Sequence, residues 1–157
     1  MPKFNVKRRM PYTADQVYAI AADVASYREF LPLVRRVVIS SRKVLADGRQ
    51  AFDAEMTVSY KKLGIEESTL SHVITDPVAM LVTAHSEQGA VKSLDAQWRI
   101  ESAGPNICDI DFTVDYTLKS RSLQFILSGM FDLVVRKIMS SFEERARKLY
   151  GPRPASS

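Results

Sequence analysis

The sequence is poor in the residues that carry metal and redox chemistry. It has one cysteine, Cys108, so that no intramolecular disulfide and no thiolate metal cluster can form. Its two histidines, His72 and His85, are too few for most metal sites unless carboxylates complete the ligand set. These absences favour a reducing compartment and predict that the protein requires no metal and no cofactor.

Long apolar runs and targeting segments are also missing. No apolar stretch approaches the ~20 residues that span a bilayer. Residues 1–9 lack the apolar centre of a secretory signal and the Ser/Arg-rich character of a mitochondrial presequence. We therefore expect a soluble protein of the cytoplasm whose contact with membranes is peripheral.

Charge is distributed unevenly along the chain. Residues 1–44 carry nine Lys/Arg and three Asp/Glu, residues 45–118 carry five and twelve, and residues 119–157 carry eight and three. The net charge of +4 is thus divided into +6, −7 and +5. If the two ends meet, they form a basic surface suited to anionic lipid or nucleic acid, and otherwise they are solvated helix faces.

The N-terminal part predicts one strand and two short helices. Phe4, Val6 and Arg8 alternate with polar residues, which is typical of a strand. Thr13 and Gln16 have the spacing of a helix capping box. A second helical turn follows over residues 25–30 and ends before the next proline.

Residues 34–118 change to a period of two. Apolar residues take every second position over 52–60 and again over 108–118, with polar residues between them. Turn signals such as Asp47-Gly48 separate the runs. This pattern predicts an antiparallel meander of about six strands with one buried face.

Residues 122–150 have helical periodicity, and Gly151-Pro152 ends the helix. No other predicted element is long and apolar enough to cover the sheet. The fold class is therefore α+β, with a curved antiparallel sheet of six to seven strands around a long C-terminal helix. We expect one domain over residues 1–151 and a disordered tail over 152–157.

The inward faces of the predicted sheet and helix carry the candidate ligand-binding residues. Their side chains are apolar or aromatic, and the methionines suit an adaptable pocket. They are Phe52, Met56, Tyr60, Trp98, Phe112 and Tyr116 from the sheet, and Ile126, Leu127, Met130, Phe131 and Val134 from the helix. An ordinary closed core and a cavity for an isoprenoid or acyl chain both fit this pattern.

The segment before the second strand is a further candidate. It combines Tyr27, Phe30, Leu31 and Pro32, which either plug the cavity or form an apolar lip at its mouth. Arg28, Arg35 and Arg36 lie beside it in sequence. We expect these arginines to contact an anionic membrane surface or another anionic partner.

The residues do not assemble a convincing catalytic site. Cys108 lies on the apolar face of a strand and is expected to be a buried structural thiol. An enzyme would need a polar group inside the cavity, for which the candidates are Tyr60, Tyr116, His72 and one of the adjacent Glu66 and Glu67. A stripe of Asp109, Asp111 and Asp115 is expected to be a solvated edge. We therefore expect no catalysis.

Four segments, in order along the chain, resemble a known family. They are Pro11-Tyr12-Thr13 with Gln16-Val17-Tyr18, Asp23-Val24 with Tyr27-x-x-Phe-Leu-Pro32, Leu94 with Trp98-Arg99-Ile100, and the helix end from Ser141-Phe142 through Arg145 to Tyr150. With these segments the chain resembles the coenzyme Q-binding START-domain proteins, a part of the polyketide cyclase/dehydrase-like branch of the helix-grip superfamily. The resemblance covers about residues 4–150.

This resemblance implies a START-like, helix-grip fold with a hydrophobic tunnel between sheet and helix. It implies that the bound ligand is ubiquinone or another prenyl or acyl lipid, and that the protein supports respiratory electron transport as a lipid chaperone. It also implies a bacterial cytoplasmic protein, peripheral at the inner membrane. Val91 departs from the pattern, because many members carry an aromatic residue there.

The same family implies two alternatives. Its members include ribosome association toxins, which bind the large ribosomal subunit, and the basic chain ends suit rRNA as well as anionic lipid. A third possibility is a polyketide cyclase or dehydratase-like enzyme. DNA is not an expected partner.

Overall fold

The structure is a computed structural model that describes residues 3–89 and 91–152. Some side chains within these ranges lie outside the description, namely those of Leu63, Ile65, Ser122, Leu123, residues 126–128, Phe131 and Asp132. Residues 153–157, most of the expected tail, also lie outside the described residues, so disorder there stays a prediction.

The strands and helices of the described chain follow the predicted order. It begins with β1 (Lys3–Met10), α1 (Ala14–Ala22) and a 3-10 helix (Val24–Glu29). The meander follows as β2 (Val34–Val44), β3 (Gln50–Tyr60), a 3-10 turn (Lys61–Leu63), β4 (Ile65–Asp76), β5 (Leu81–Gly89), β6 (Val91–Gly104) and β7 (Ile107–Leu118). The chain closes with α2 (Arg121–Tyr150). The predicted α+β fold and its long final helix are confirmed.

The strands form one antiparallel sheet in the order β1-β7-β6-β5-β4-β3-β2. The first strand therefore lies at an edge beside the last one, with Lys3 opposite Asp115 and Met10 opposite Cys108. One face of the curved sheet packs against α1 and α2, because the apolar residues of each strand recur with period two.

The acidic stripe on β7 is not a solvated edge, and that expectation was wrong. β7 lies between β1 and β6, so its aspartates meet the basic outer face of β1. The Arg9 guanidinium lies 2.8 Å from the Asp109 carboxylate. Its hydrogen bond holds the pKa of that carboxyl below its usual range. Part of the positive charge at the N-terminus is therefore neutralised within the sheet.

Local interactions define the start of α1. The Thr13 hydroxyl accepts a hydrogen bond from the Gln16 backbone N–H at 3.1 Å, and the Gln16 side chain accepts from the Thr13 N–H at 3.0 Å. This is the predicted capping box, which satisfies two amide groups that have no partner within the helix.

The beginning and end of the described chain meet. The Tyr12 hydroxyl donates to the Gly151 carbonyl at 2.8 Å, and the Tyr150 hydroxyl donates to the Gln16 carbonyl at 3.2 Å. Arg8 on β1 also reaches the Ser140 hydroxyl on α2 at 3.4 Å. These bonds hold α2 across the sheet.

Candidate functional site

An apolar cavity of about 390 Å³ lies between the sheet and α2. Its walls come from the inward residues of β3 to β7, from the segment before β2, and from Met130, Val134, Val135 and Ile138 on α2. The volume lies within the ~300–1,000 Å³ range of small-molecule sites. The sequence allowed either a closed core or a cavity. The structure shows the cavity.

Small side chains in the middle of the sheet explain the empty space. Ala84 on β5 and Ala96 on β6 are direct register partners, and Ala54 on β3 is opposite Ser71 on β4. All four residues line the cavity. A pleated sheet places such partners on the same face, so these positions together leave a gap beneath α2.

Burial shows which end of the cavity is the mouth. Along β4 the exposed Glu67 is followed by half-buried Thr69 and Ser71 and then by fully buried Val73. On β6, Leu94 is half-buried and Trp98 is buried, but Val91 at the end nearest Glu67 is also buried, so the opening lies on the β4 side. The mouth therefore lies at the Glu67 end, and the floor lies near Val73 and Trp98.

Stacked aromatic rings form the floor. The ring centroids of Trp98 and Phe112 are 4.1 Å apart, and Phe142 stacks on Trp98 at 4.4 Å. Tyr27 meets Phe142 edge to face, and its hydroxyl donates to the Ala21 carbonyl. Burial raises the pKa of the Tyr27 phenol far above its ordinary value, so it remains a neutral donor.

The segment before β2 forms one side of the mouth. Leu31, Pro32, Leu33 and Val34 all contribute to the cavity wall. Leu33 has φ of 72°, in the left-handed region that non-glycine residues rarely adopt. Its carbonyl accepts a hydrogen bond from the Ser59 amide of β3 at 2.8 Å, which fixes this conformation beside the opening.

Most of the candidate ligand-binding residues come together on the cavity wall. Those that line it are Tyr27, Leu31, Pro32, Met56, Tyr60, Trp98, Phe112, Tyr116, Met130 and Val134. Ile126, Leu127 and Phe131 belong to α2, but their side chains lie outside the described residues. That any of these residues binds a ligand stays a prediction.

Phe30 and Phe52 lie elsewhere. The 3-10 helix turns Phe30 toward α2, where its ring meets Phe142 at 5.4 Å. Phe52 lies next to Ala54 at the closed end of β3, is buried, and has the Arg42 guanidinium 4.8 Å above its ring. Both rings therefore pack in the core rather than on the cavity wall.

Sequence reasoning found only part of a polar stripe on the cavity wall. Glu67, Thr69 and Ser71 point inward from β4, whereas Glu66 faces the outside. The alternation of β4 would have placed these three residues on one face. Glu67 is one of the two adjacent glutamates from which the sequence predicts an inward polar group, but Thr69 and Ser71 were not predicted, because this strand is the least apolar of the meander.

The three arginines gather in a second cleft rather than on the cavity wall. Arg28, Arg35 and Arg36 line a cleft of about 430 Å³ on the outer face of β2 to β4. Arg35 donates to both carboxylate oxygens of Glu66 at 3.0 Å. Within the described part of the chain, no side chain pairs with Arg28. Arg36 lies 4.0 Å from the Glu55 carboxylate, so among the described residues Arg28 is the arginine of the cleft without a carboxylate partner.

Both histidines lie on the outer face of the sheet. Nδ1 of His72 lies 2.6 Å from Asp53, and Nδ1 of His85 lies 2.6 Å from Asp95. Among the described residues, no group of three or more His, Cys, Asp or Glu side chains is arranged to hold a metal ion. His72 is thus remote from the cavity in which the enzyme hypothesis needs it.

No helix among the described residues is long and apolar enough to cross a membrane.

The chain matches a known protein family over most of its length. Residues 10–143 match the family of polyketide cyclase / dehydrase and lipid transport proteins, and the chain belongs to that family. The chain also resembles structures of the START superfamily, which confirms the START-like, helix-grip fold.

Two kinds of curated relative have a similar sequence. The mitochondrial coenzyme Q-binding protein COQ10 homolog B of Xenopus laevis is 26% identical over 152 residues, which cover 95% of this chain and 59% of that protein. The ribosome association toxin RatA of Escherichia coli is 25% identical over 154 residues, which cover 98% of this chain and 92% of that protein. The chain therefore spans less than two thirds of the coenzyme Q-binding relatives it matches.

Solved structures with the same fold include proteins of different kinds. An 18 kDa protein of Caulobacter crescentus has a TM-score of 0.79 and 27% identity, over 97% of this chain and all of that one. The Zhui aromatase/cyclase of a Streptomyces species has a TM-score of 0.78 and 16% identity, over 99% and 98% of the two chains. At that identity the second likeness concerns the fold alone.

Proposed function

We propose that this protein is a non-catalytic binding protein for ubiquinone or a similar prenyl or acyl lipid, and that it acts as a lipid chaperone supporting respiratory electron transport. The observation that carries the proposal is the apolar cavity, open at the Glu67 end and floored by Trp98 and Phe112. The similarity to coenzyme Q-binding proteins supports the choice of a quinone.

The size of the cavity limits how much of such a lipid is enclosed. The volume of 390 Å³ lies near the lower end of the ~300–1,000 Å³ range of small-molecule sites, so the cavity encloses only part of a long prenyl lipid. A ring head group with a short length of tail fills this space. The remainder of a long isoprenoid chain leaves through the mouth, beside the apolar residues Leu31 to Val34.

The polar groups of the cavity support binding without chemistry. Glu67 is the one carboxylate among its described lining residues, and both histidines face outward. An acid/base reaction needs a second titratable partner beside the carboxylate. The enzyme alternative would therefore depend on Glu67 with Tyr60 or Tyr116, and Tyr60→Phe, Tyr116→Phe and Glu67→Gln variants test it.

The arginine cleft supports contact with an anionic membrane surface. Arg28, Arg35 and Arg36 lie within three residues of the Leu31–Val34 segment, so a membrane that meets the cleft also meets the mouth. Phospholipid headgroups attract such clusters at about 1 kcal/mol per basic residue. We propose a cytoplasmic protein that loads its lipid while peripheral at the bacterial inner membrane.

Extraction of the purified protein with organic solvent, followed by mass spectrometry, tests the proposal. We expect a prenylated or acylated molecule in the extract, and stoichiometric uptake of added short-chain ubiquinone by the emptied protein. Absence of any lipid from repeated preparations, together with no uptake, would overturn it. An Ala96→Phe variant, whose ring enters the cavity, is the matched control.

A second candidate function is binding to the large ribosomal subunit. The observation in its favour is that the chain matches 92% of the length of a ribosome association toxin. Arg136 and Lys137 are exposed on α2 one turn before Ser140, which Arg8 contacts, so cations from both chain ends share one edge. Sedimentation with large subunits at physiological salt decides it, because loss of co-sedimentation there excludes specific binding.

A further inference from the structure

The polar stripe on β4 interrupts an otherwise apolar wall. The inward positions of this strand run from Glu67 through Thr69 and Ser71 to Val73, and end at Thr75. Their register partners on β3 are Val58, Met56 and Ala54 for the first three. The stripe is therefore one strand wide, with apolar neighbours on the β3 side.

The two ends of the stripe differ in whether their polar side chains have hydrogen-bond partners in the protein. Thr75 is buried, and its hydroxyl donates to the oxygen of the Tyr18 phenol. Among the described residues, no hydrogen-bond partner contacts the side chains of Glu67, Thr69 or Ser71. Thr69 and Ser71 are half-buried, and polar groups in such positions lose free energy unless water or a ligand supplies the bond, whereas Glu67 is exposed at the mouth.

We propose that Glu67, Thr69 and Ser71 form a head-group subsite for a lipid whose polar end carries an O–H group. The two oxygens of a carboxylate at Glu67 are hydrogen-bond acceptors, so this position selects a donor. The hydroxyls of Thr69 and Ser71 donate to the oxygen of the same head group. The carbons that carry the O–H group then lie against Ala84, Ala96 and Trp98, and the rest of the prenyl chain leaves through the mouth beside Leu31 to Val34.

This subsite deepens the proposed lipid-binding function and rests on it. It assigns the ligand to hydroxylated prenyl compounds, such as prenols or the reduced, hydroquinone form of a prenylquinone. A quinone has carbonyl acceptors but no O–H, so it forms bonds with the two hydroxyls and none with the carboxylate. The subsite therefore favours the reduced form over the oxidised form.

Calorimetric titration with geraniol and with geranyl methyl ether tests the assignment, because the two differ by the O–H donor and fit the same cavity. We expect the wild-type protein to bind geraniol roughly tenfold more tightly, as for one buried hydrogen bond. Thr69→Val and Glu67→Leu should each reduce that preference severalfold. Their matched controls are Thr83→Val and Glu101→Leu, which change the outer face.

The outcomes distinguish a failure of the subsite from a failure of the proposed lipid-binding function. If wild-type protein binds neither ligand, nor any longer prenyl chain, the lipid-binding function itself fails. If it binds both ligands equally, or if Thr69→Val and Thr83→Val have the same effect, the subsite fails while the function stands. An equal effect of Thr69→Val and Thr83→Val would mean that water, and not the ligand, supplies the hydrogen bonds of the stripe. Circular dichroism of each variant verifies that the fold is retained.

Discussion

Trp98 and Phe142 stack across the core with ring centroids 4.4 Å apart and planes 25° from parallel. This contact joins β6 to α2 at the floor of the cavity, and Phe142 also meets Tyr27 and Phe30 edge to face. The helix is thus anchored near its C-terminal half, whereas the half that carries Met130 and Val134 spans the open space.

Replacing Phe142 by Ala should destabilise the fold strongly. The side chain is fully buried, and removal of a buried Phe costs about 3–5 kcal/mol. Urea unfolding followed by circular dichroism measures the change. Phe125→Ala on the same helix is the control, because Phe125 is 82% exposed and its loss should change the unfolding free energy by about 0.5 kcal/mol or less. Equal losses in the two variants would contradict the anchoring.

Cys108 should be inert toward thiol reagents in the folded protein. It is fully buried, and burial raises the pKa of its thiol to about 11. The reactive thiolate is therefore scarce at pH 8. We expect reaction with iodoacetamide only at the rate of unfolding, and ordinary reactivity in denaturant. Rapid labelling of the native protein would show that β7 opens or that the thiol is accessible.

His85 should titrate above its ordinary pKa of 6.5, because hydrogen bonds to Glu87 and then to Asp95 favour the imidazolium. Its contribution to stability is fully present below the unfolded value and is lost as pH rises through the higher folded value. Imidazole chemical shifts measured by NMR against pH give the folded pKa. Glu87→Gln should lower it, and an unchanged value would contradict the assigned bond.

The arginine cleft should control binding to anionic vesicles. Replacing Arg28, Arg35 and Arg36 together by Gln should reduce partitioning onto vesicles with anionic lipid roughly tenfold at low salt. Neutral vesicles should show no difference. A control protein carries Gln at three exposed cations elsewhere: Lys3, Lys92 and Arg99. If this control loses as much binding, the attraction comes from net charge and not from the cleft.

The sequence was sufficient to predict the strands and helices in which apolar residues recur with one regular spacing. The alternation from Cys108 to Leu118 and the 3.6-residue spacing of α2 both reflect one buried face, which makes them readable without tertiary information. The capping box of Thr13 is equally local.

Features that depend on which strands are neighbours could not be predicted from the sequence alone. The stripe that includes Asp109 resembled an edge because nothing local indicates that β1 returns to pair with β7. The gap at Ala84 and Ala96 needs their register, and alanine alone is compatible with a filled core. Phe52 shares a face with Met56 but lies at the closed end, a difference that only the position of the helix determines.

The central claim, that the cavity binds a quinone-like lipid, is tested most directly by the fluorescence of Trp98. It is the single tryptophan and lines the cavity, so a bound quinone ring lies close enough to quench it. Titration with a short-chain ubiquinone should give saturable quenching at one ligand per protein, and Ala96→Phe should abolish saturation while keeping the fold. Quenching that rises linearly without saturation, or that is equal in the two proteins, would contradict the account.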